Sequence, residues 1–275
     1  MENRAIGIFD SGIGGLSVLQ EAYHQLSGQE YIFYADTDHV PYGNKEPEEI
    51  LGYCRNTAAF LIEQGASAIL IACNTATSVA VRQLRQELEL PIIGMEPAVK
   101  PAVEQTEEKR VLVMATPVTL RETKLKNLIE RVDEHHRVDL LAMPELVRFA
   151  ESEQFDSPEL HAYLEAQFSK VHPEEYSALV MGCTHFNYFK DLYRNYFPDY
   201  TAFVDGNVGT IRHLMRKLDL PAEAAEAQDI RIHFNDPEEL LQHTTYYMSG
   251  RRVQEKEMLE HFLRLHNRLE EMRKF

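Results

Sequence analysis

Cysteine is scarce in this chain of 275 residues, which contains only Cys54, Cys73 and Cys183. An odd, low count without C-x-x-C spacing argues against a disulfide framework and favours a reducing compartment, so we expect a cytoplasmic protein. The apolar stretch Ala5–Phe9 near the N-terminus is too short for a signal peptide. No run of about 18 apolar residues occurs either, so we expect no membrane span.

Basic residues are also in deficit, because 28 Lys and Arg stand against 44 Asp and Glu, a formal net charge of −16. Such an acidic chain is a poor partner for nucleic acid. A small anionic metabolite is still compatible, since nearby amides and helix ends set the local field of a site. The length allows one large α/β domain or two smaller ones.

The glycine-rich segment Asp10–Ser17 lacks the residues that nucleotide-binding loops need. A dinucleotide fingerprint would have a third glycine at Ser17, and a P-loop would continue with Gly-Lys-Ser/Thr. We therefore interpret the segment as a turn from a strand to a helix, with Asp10 as a cap. Asp10 and Ser11 could also bind a substrate ammonium group or orient a thiol.

The segment Asp36–Gly43 has aspartates and a histidine but too few ligands for a metal site. Hard metals need more oxygen ligands, and zinc prefers Cys and His pairs. We expect no metal and interpret the segment as a rigid binding loop shaped by Pro41 and Gly43.

Short apolar runs alternate with longer amphipathic stretches, which predicts an α/β fold with mostly parallel sheets. The predicted strands are Ala5–Phe9, Tyr31–Ala35, Ala68–Ala72, Ile92–Gly94, Arg110–Ala115, Val138–Ala142, Ala178–Gly182 and Thr201–Val204. Helices are expected from about Gly14, from Pro47 to about Gln64, and from about Arg251 to Phe275. The buried stripe of the last helix is predicted at Met258, Leu259, Phe262, Leu263, Leu265 and Leu269.

An internal near-repeat is the most informative pattern. Ser67–Thr75 (SAILIACNT) aligns without gaps on Ser177–His185 (SALVMGCTH), and the segments are about 110 residues apart, about one domain length. Each is a buried-type strand followed by Cys and polar residues. Because ligands bind at the carboxyl ends of parallel strands, two such units predict two similar domains with a thiol on each side of one cleft.

Two opposed thiols suit removal of a proton on one face of a carbon and delivery on the other, which is stereoinversion. A lone cysteine usually packs in the core, and we assign that role to Cys54. For Cys73 and Cys183 we expect amides of the following turns to lower the thiol pKa. His185 could tune proton transfer, whereas nothing local distinguishes Glu151 from a surface carboxylate.

With these residues assembled, the chain resembles the glutamate racemases of the aspartate/glutamate racemase superfamily. The matching segments are Phe9–Leu16, Ala35–Gly43, Ala72–Ala76, Gly94–Ala98, Ala115–Thr119 and Gly182–His185. The combination of DSGxGG and GCTH favours glutamate over aspartate. The family pattern usually continues after GCTH with an aromatic residue and proline, where this chain has Phe186-Asn187.

The resemblance implies a cofactor-independent enzyme that supplies D-glutamate for peptidoglycan, and commonly a homodimer. Cys73 would take the α-proton of D-glutamate while Cys183 protonates the other face, with the reverse for L-glutamate. Asp10 would assist Cys73, and His185 with Glu151 would assist Cys183. The implied substrate contacts are Asp10, Ser11, Pro41, Tyr42, Gly43, Asn74, Thr75, Thr119, Thr184 and His185.

The resemblance also implies two α/β domains, with residues 1–97 and 207–275 in the first and 98–206 in the second. Three alternatives stay open. One is a racemase for aspartate or another acidic amino acid, and another is a non-catalytic sensor of an acidic metabolite. A hydrolase using Cys183 with His185 is the third, although their i, i+2 spacing after a strand makes a direct contact doubtful and leaves Cys73 unexplained.

Overall fold

Parallel strands and helices alternate along most of the chain, which confirms the predicted α/β fold class. The structure is a computed structural model that describes residues 5–26, 28–105, 109–221 and 232–275. The parts of the predicted domains at 1–4, 27, 106–108 and 222–231 lie outside the described residues. Within the described ranges, no helix is long and apolar enough to cross a membrane.

The strands of the described residues form two separate sheets. They are β1 (Ile6–Asp10), β2 (Tyr31–Ala35), β3 (Ala68–Ile71), β4 (Ile92–Gly94), β5 (Arg110–Ala115), β6 (Val138–Ala142), β7 (Tyr176–Met181), β8 (Ala202–Val204), β9 (Thr244–Met248) and β10 (Arg251–Arg252). The sheet orders are β10-β9-β2-β1-β3-β4 and β6-β5-β7-β8. Neighbouring strands are parallel except for β9 with β10. All eight predicted strands are confirmed to within about two residues at their ends.

The C-terminal region corrects one prediction. Strand β9 is parallel to β2, and its pattern of apolar and polar residues does not predict a strand. The expected helix from Arg251 is wrong at its start, because Arg251–Arg252 pair with β9 and the helix begins at Lys256. Gly250, with a φ of 81°, supports the tight turn between these two strands.

The helices lie between the strands in chain order. They are α1 (Leu16–Gln25), α2 (Pro47–Glu63), α3 (Asn74–Glu87), α4 (Val99–Glu104), α5 (Pro117–Arg121), α6 (Thr123–Val132), α7 (Leu146–Glu151), α8 (Pro158–Phe168), α9 (Lys190–Tyr193), α10 (Asn207–Leu218) and α11 (Lys256–Met272). Helix α2 confirms its prediction, since Pro47 is at its first turn and Glu46 with Glu49 form a capping box. Of the predicted stripe in α11, Met258 and Leu263 are only half-buried, whereas the other four residues are buried.

The two sheets share one large apolar core. Its buried residues run from Ile8 in β1 to Leu112 in β5 and Leu179 in β7, and include Phe262 of α11. A core common to both sheets holds their strand ends in a defined relation, because packed interiors deform little. The first sheet uses both ends of the chain, as the predicted domain division requires, but the boundaries at 97/98 and 206/207 stay a prediction.

The carboxyl ends of the central strands carry the polar residues singled out above. Asp10 ends β1, Cys73 comes two residues after β3, and Cys183 two residues after β7. Strand β5 is followed directly by Thr116 and strand β2 by Asp36. In parallel sheets these ends are the usual location of a ligand site, so the fold collects the predicted residues where chemistry is expected.

Candidate active site

Cys73 lies at the N-terminus of α3, where its sulfur accepts a hydrogen bond from the amide of Ala76 at 3.4 Å. The thiol is 5% exposed and donates to the hydroxyl of Ser11 at 3.6 Å. Burial and the negative charge of Asp10 raise the pKa of Cys73 well above its ordinary value, and the two hydrogen bonds only partly oppose this. The expectation of a lowered pKa at Cys73 is therefore wrong for this structure, because desolvation outweighs the helix amides.

Asp10 is fully buried and links the two halves of the site, which are the Cys73 side at the first sheet and the Cys183 side at the second. One carboxylate oxygen accepts the amide hydrogen of Ser11 at 2.7 Å, and the other accepts the hydroxyl hydrogen of Thr184 at 2.6 Å. Burial raises the pKa of Asp10, against the lowering effects of the charge on His185 and of these hydrogen bonds. Its predicted role as a helix cap is wrong, because its partners are the next residue, Ser11, and Thr184, which begins the 3₁₀ helix after β7.

Cys183 contacts His185 directly. The sulfur lies 3.8 Å from Nδ1 of the ring, while Nε2 lies 2.6 Å from Oε1 of Glu151, the last residue of α7. This contact overturns the doubt about the i, i+2 spacing. Cys183 is extended, and the chain then turns into the 3₁₀ helix Thr184–Phe189, which holds the buried ring of His185 beside the sulfur.

The charge on His185 follows from its two neighbours. Burial lowers the pKa of the ring, but the hydrogen bonds and negative charges of Cys183 and Glu151 raise it further, and the result is a pKa well above the ordinary value. Glu151 also accepts the amide hydrogen of Ile13 at 2.8 Å. The sequence left Glu151 undistinguished, since its partners lie 34 and 138 positions away along the chain.

The glycines after β1 allow the two halves to meet. A Cβ on Gly12 would overlap Glu151, and a Cβ on Gly14 would lie 2.5 Å from both His185 Nδ1 and Thr184 Oγ1. The glycine-rich turn is thus shaped to receive the Cys183 side of the site.

A group of three hydroxyls faces the same strand ends. Thr75 Oγ1 lies 3.1 Å from Thr116 Oγ1 and 3.1 Å from Thr119 Oγ1, and the latter two are 3.0 Å apart. A Cβ on Gly43 would lie 2.7 Å from Cβ of Thr116, so the loop after β2 packs on this group. Sequence reasoning missed Thr116, whose signal is its place between β5 and Pro117 as the cap of α5.

The remaining predicted contacts border this group. Tyr42 is buried and Pro41 is half-buried, and the Val40–Pro41 peptide bond is cis. Asn74, the first residue of α3, is half-buried and lines a cavity of about 50 Å³ together with Thr119 and Gly182. The structure therefore brings the predicted site residues together near the carboxyl ends of the strands, and Glu151 reaches them from the end of helix α7.

A family model for Asp/Glu/hydantoin racemases matches residues 11–213 of the chain. The chain belongs to this family. It is 46% identical over 273 residues to a glutamate racemase of Lachnospira eligens, with 98% of each chain covered.

Solved structures of this racemase family have the same fold. A glutamate racemase of Escherichia coli in complex with L-glutamate and the activator UDP-MurNAc-Ala superposes with a TM-score of 0.75 at 27% identity, covering 91% of this chain and 100% of that one. A glutamate racemase of Francisella tularensis in complex with D-glutamate has a TM-score of 0.71 at 26% identity, covering 96% of this chain and 95% of that one.

Asn187 stands where the racemase family pattern has proline. Its side-chain amide donates to the carbonyl of Thr184 at 3.2 Å, across the turn that carries His185. This hydrogen bond joins the two ends of the turn, Thr184 and Asn187. The structure confirms the assignment of Cys54 to the core, since Cys54 is buried beneath the first sheet.

Among the described residues, no three His, Cys, Asp or Glu side chains are grouped as metal ligands.

Proposed function

We propose that this protein interconverts L- and D-glutamate without a cofactor, with Cys73 and Cys183 as the two groups that exchange the α-proton. The observation that carries the proposal is the arrangement of two thiols, each with its own charged partner. The negative charge of Asp10 raises the pKa of Cys73, and His185 contacts Cys183. The hydrogen bond from Thr184 to Asp10 joins the surroundings of the two thiols. The names of the relatives, and the glutamate enantiomers bound to two of them, support glutamate as the substrate.

In the direction from D- to L-glutamate, the Cys73 thiolate takes the α-proton and becomes a thiol. The resulting carbanion receives a proton on its opposite face from the Cys183 thiol, which becomes a thiolate. Asp10 accepts the proton that leaves the Cys73 thiol beforehand, because burial raises the pKa of Asp10 and so makes its carboxylate a stronger base. The protonated ring of His185, held by Glu151, stabilises the thiolate on Cys183.

The carbanion needs donors around the substrate carboxylate, because an α-proton of an amino acid is only weakly acidic. We assign this role to the hydroxyls of Thr75, Thr116 and Thr119 and to the amide of Asn74. Ser11, Pro41, Tyr42, Gly43 and Thr184 complete the proposed substrate contacts. Both thiols are buried, so the chain around the site must open locally before the substrate binds, and its closure then excludes water.

We further propose that the enzyme works in the cytoplasm as a homodimer and supplies D-glutamate for peptidoglycan synthesis. The scarcity of cysteine and the family resemblance support these assignments.

The test is racemisation in D₂O. We expect each glutamate enantiomer to give an inverted product that carries α-deuterium, followed by circular dichroism and mass spectrometry. Cys73→Ser and Cys183→Ser should each abolish racemisation, whereas Cys54→Ala, which removes a thiol from the core, should retain it. Sustained racemisation by either serine variant would overturn the two-thiol mechanism. Faster inversion of aspartate than of glutamate would reassign the substrate, and tight D-glutamate binding without exchange would favour the sensor.

The contact between Cys183 and His185, with Glu151 behind the ring, also fits a nucleophilic cysteine with its base. This second candidate, a hydrolase, leaves the pair of Cys73 and Asp10 without a role. It predicts a burst of product and a covalent acyl intermediate on Cys183 with activated esters, and their absence would remove it.

A further inference from the structure

The loop that presents Tyr42 and Gly43 to the site is organised around a buried carboxylate. Asp36 is 2% exposed, and its oxygens accept hydrogen bonds from the hydroxyl of Tyr42 and from Nδ1 of His39, the latter at 2.8 Å. A third donor comes from the far end of the chain, since the hydroxyl of Ser249 donates to Asp36 Oδ1 at 3.1 Å. A buried carboxylate with several donors is strongly oriented, because an unpaired one is costly.

Ser249 bridges two points of this loop. While its hydroxyl donates to the carboxylate of Asp36, its oxygen accepts the amide hydrogen of Asp38 at 2.9 Å. Its own amide donates to the carbonyl of Ala35 at the end of β2 at 2.8 Å. The turn between β9 and β10 is therefore joined to the loop by backbone and side chain together, and Arg251 adds a bidentate ion pair to Asp38 on the surface.

The backbone at Ser249 is unfavourable for serine. Its φ is 44°, and with Gly250 at 81° both central residues of the turn lie in the left-handed region. Glycine, asparagine and aspartate are the residues that such two-residue hairpin turns prefer. Serine loses stability in this conformation relative to glycine, whereas its short hydroxyl makes both bonds to the loop. The turn alone would thus favour glycine at position 249, whereas the two hydrogen bonds to the loop require a hydroxyl group there.

The loop in turn determines where the site groups lie. Tyr42 is held through its hydroxyl by Asp36, and Gly43 packs on Thr116 within the group of three hydroxyls. We propose that Ser249 is a positioning residue that holds the segment Pro41–Gly43 in place for substrate binding. This inference deepens the proposed function and rests on it, because Tyr42 and Gly43 are assigned there as substrate contacts.

The test separates positioning from folding by substitutions with opposite effects. Ser249→Gly removes the hydroxyl and relieves the backbone, so we expect an unchanged or higher Tm but a KM for glutamate raised about fivefold in both directions, with kcat within about twofold. Ser249→Thr keeps a hydroxyl in a backbone that suits it less, so it should lower Tm yet keep KM near that of the wild type. His136→Gly is the matched control, since His136 is exposed and has a φ of 52°, and it should leave KM unchanged.

Hydrogen exchange supplies a readout that does not depend on the reaction. The Asp38 amide should exchange faster in Ser249→Gly than in the wild type, in Ser249→Thr or in His136→Gly. Wild-type KM and wild-type exchange at Asp38 in Ser249→Gly would overturn the positioning role. If the wild type fails to racemise glutamate, the proposed function falls, while faster exchange at Asp38 would still establish the link from Ser249 to the loop.

Discussion

Gly14→Ala tests whether the two halves of the site are as close as the structure indicates. The added Cβ would lie 2.5 Å from Nδ1 of His185 and from Oγ1 of Thr184, where ordinary contacts begin at about 3.4 Å. Each group would have to move by about 1 Å. Neither can move freely, since the ring of His185 is 1% exposed and held by Glu151, and the hydroxyl of Thr184 is bonded to Asp10.

Overpacking of this kind costs about 1–3 kcal/mol. In a chain of this length we expect a Tm lower by roughly 2–10 °C, measured by scanning calorimetry. Displacement of His185 by about 1 Å should reduce kcat/KM for glutamate by roughly 100-fold, measured by circular dichroism. Gly52→Ala is the control, because a Cβ at this position of α2 meets nothing within 4 Å. Alanine there should stabilise the protein by about 0.5–1 kcal/mol and leave activity unchanged.

Wild-type Tm and activity in Gly14→Ala would refute the close contact between the glycine turn and the Cys183 side. A loss of Tm with full activity would refute only the role assigned to His185. A similar loss in Gly52→Ala would show that any added methyl group is harmful, and the contact argument would then fail.

Three further predictions concern other groups. Glu151→Gln should lower kcat/KM and move the alkaline limb of its pH profile to lower pH. The reason is that the negative charge of Glu151 no longer raises the pKa of His185, whereas burial still lowers it. Glu153→Gln, which instead loses contacts to α11, should not move that limb, and an unmoved limb in both variants would contradict the assignment. Thr116→Val should raise KM for glutamate about three- to tenfold, since one donor near the carboxylate is lost, and an unchanged KM would remove Thr116 from the site. Burial lowers the pKa of His266 to about 3, so its stabilising contribution is full above pH 6.5 and is lost as the pH falls towards 3. This shift corresponds to about 4–5 kcal/mol of unfolding free energy. In urea titrations, the free energy of unfolding of His266→Gln should therefore fall less steeply between pH 6.5 and 3 than that of the wild type. Parallel slopes would exclude this histidine as a source of acid sensitivity.

The sequence alone determined the eight strands up to Val204 and the location of Cys73 and Cys183 at strand ends. Buried parallel strands are short continuous apolar runs, and this signal is local, so it can be found without knowing any partner. The repeat of strand, cysteine and polar residue is local in each copy as well. It therefore predicted that two thiols belong to one site before any distance was known, and the two-thiol chemistry stays a prediction.

Only the tertiary structure decided the partners of those groups. Glu151 joins the candidate site because His185 and Ile13 contact it. Ser249 reaches the loop after β2 because β9 lies beside β2, which is more than 200 positions earlier in the chain. The sequence could likewise not show in which direction the pKa of Cys73 is shifted. A helix N-terminus is visible in the residue pattern, but burial and a neighbouring carboxylate arise only when the chain is folded, and they outweigh the helix amides.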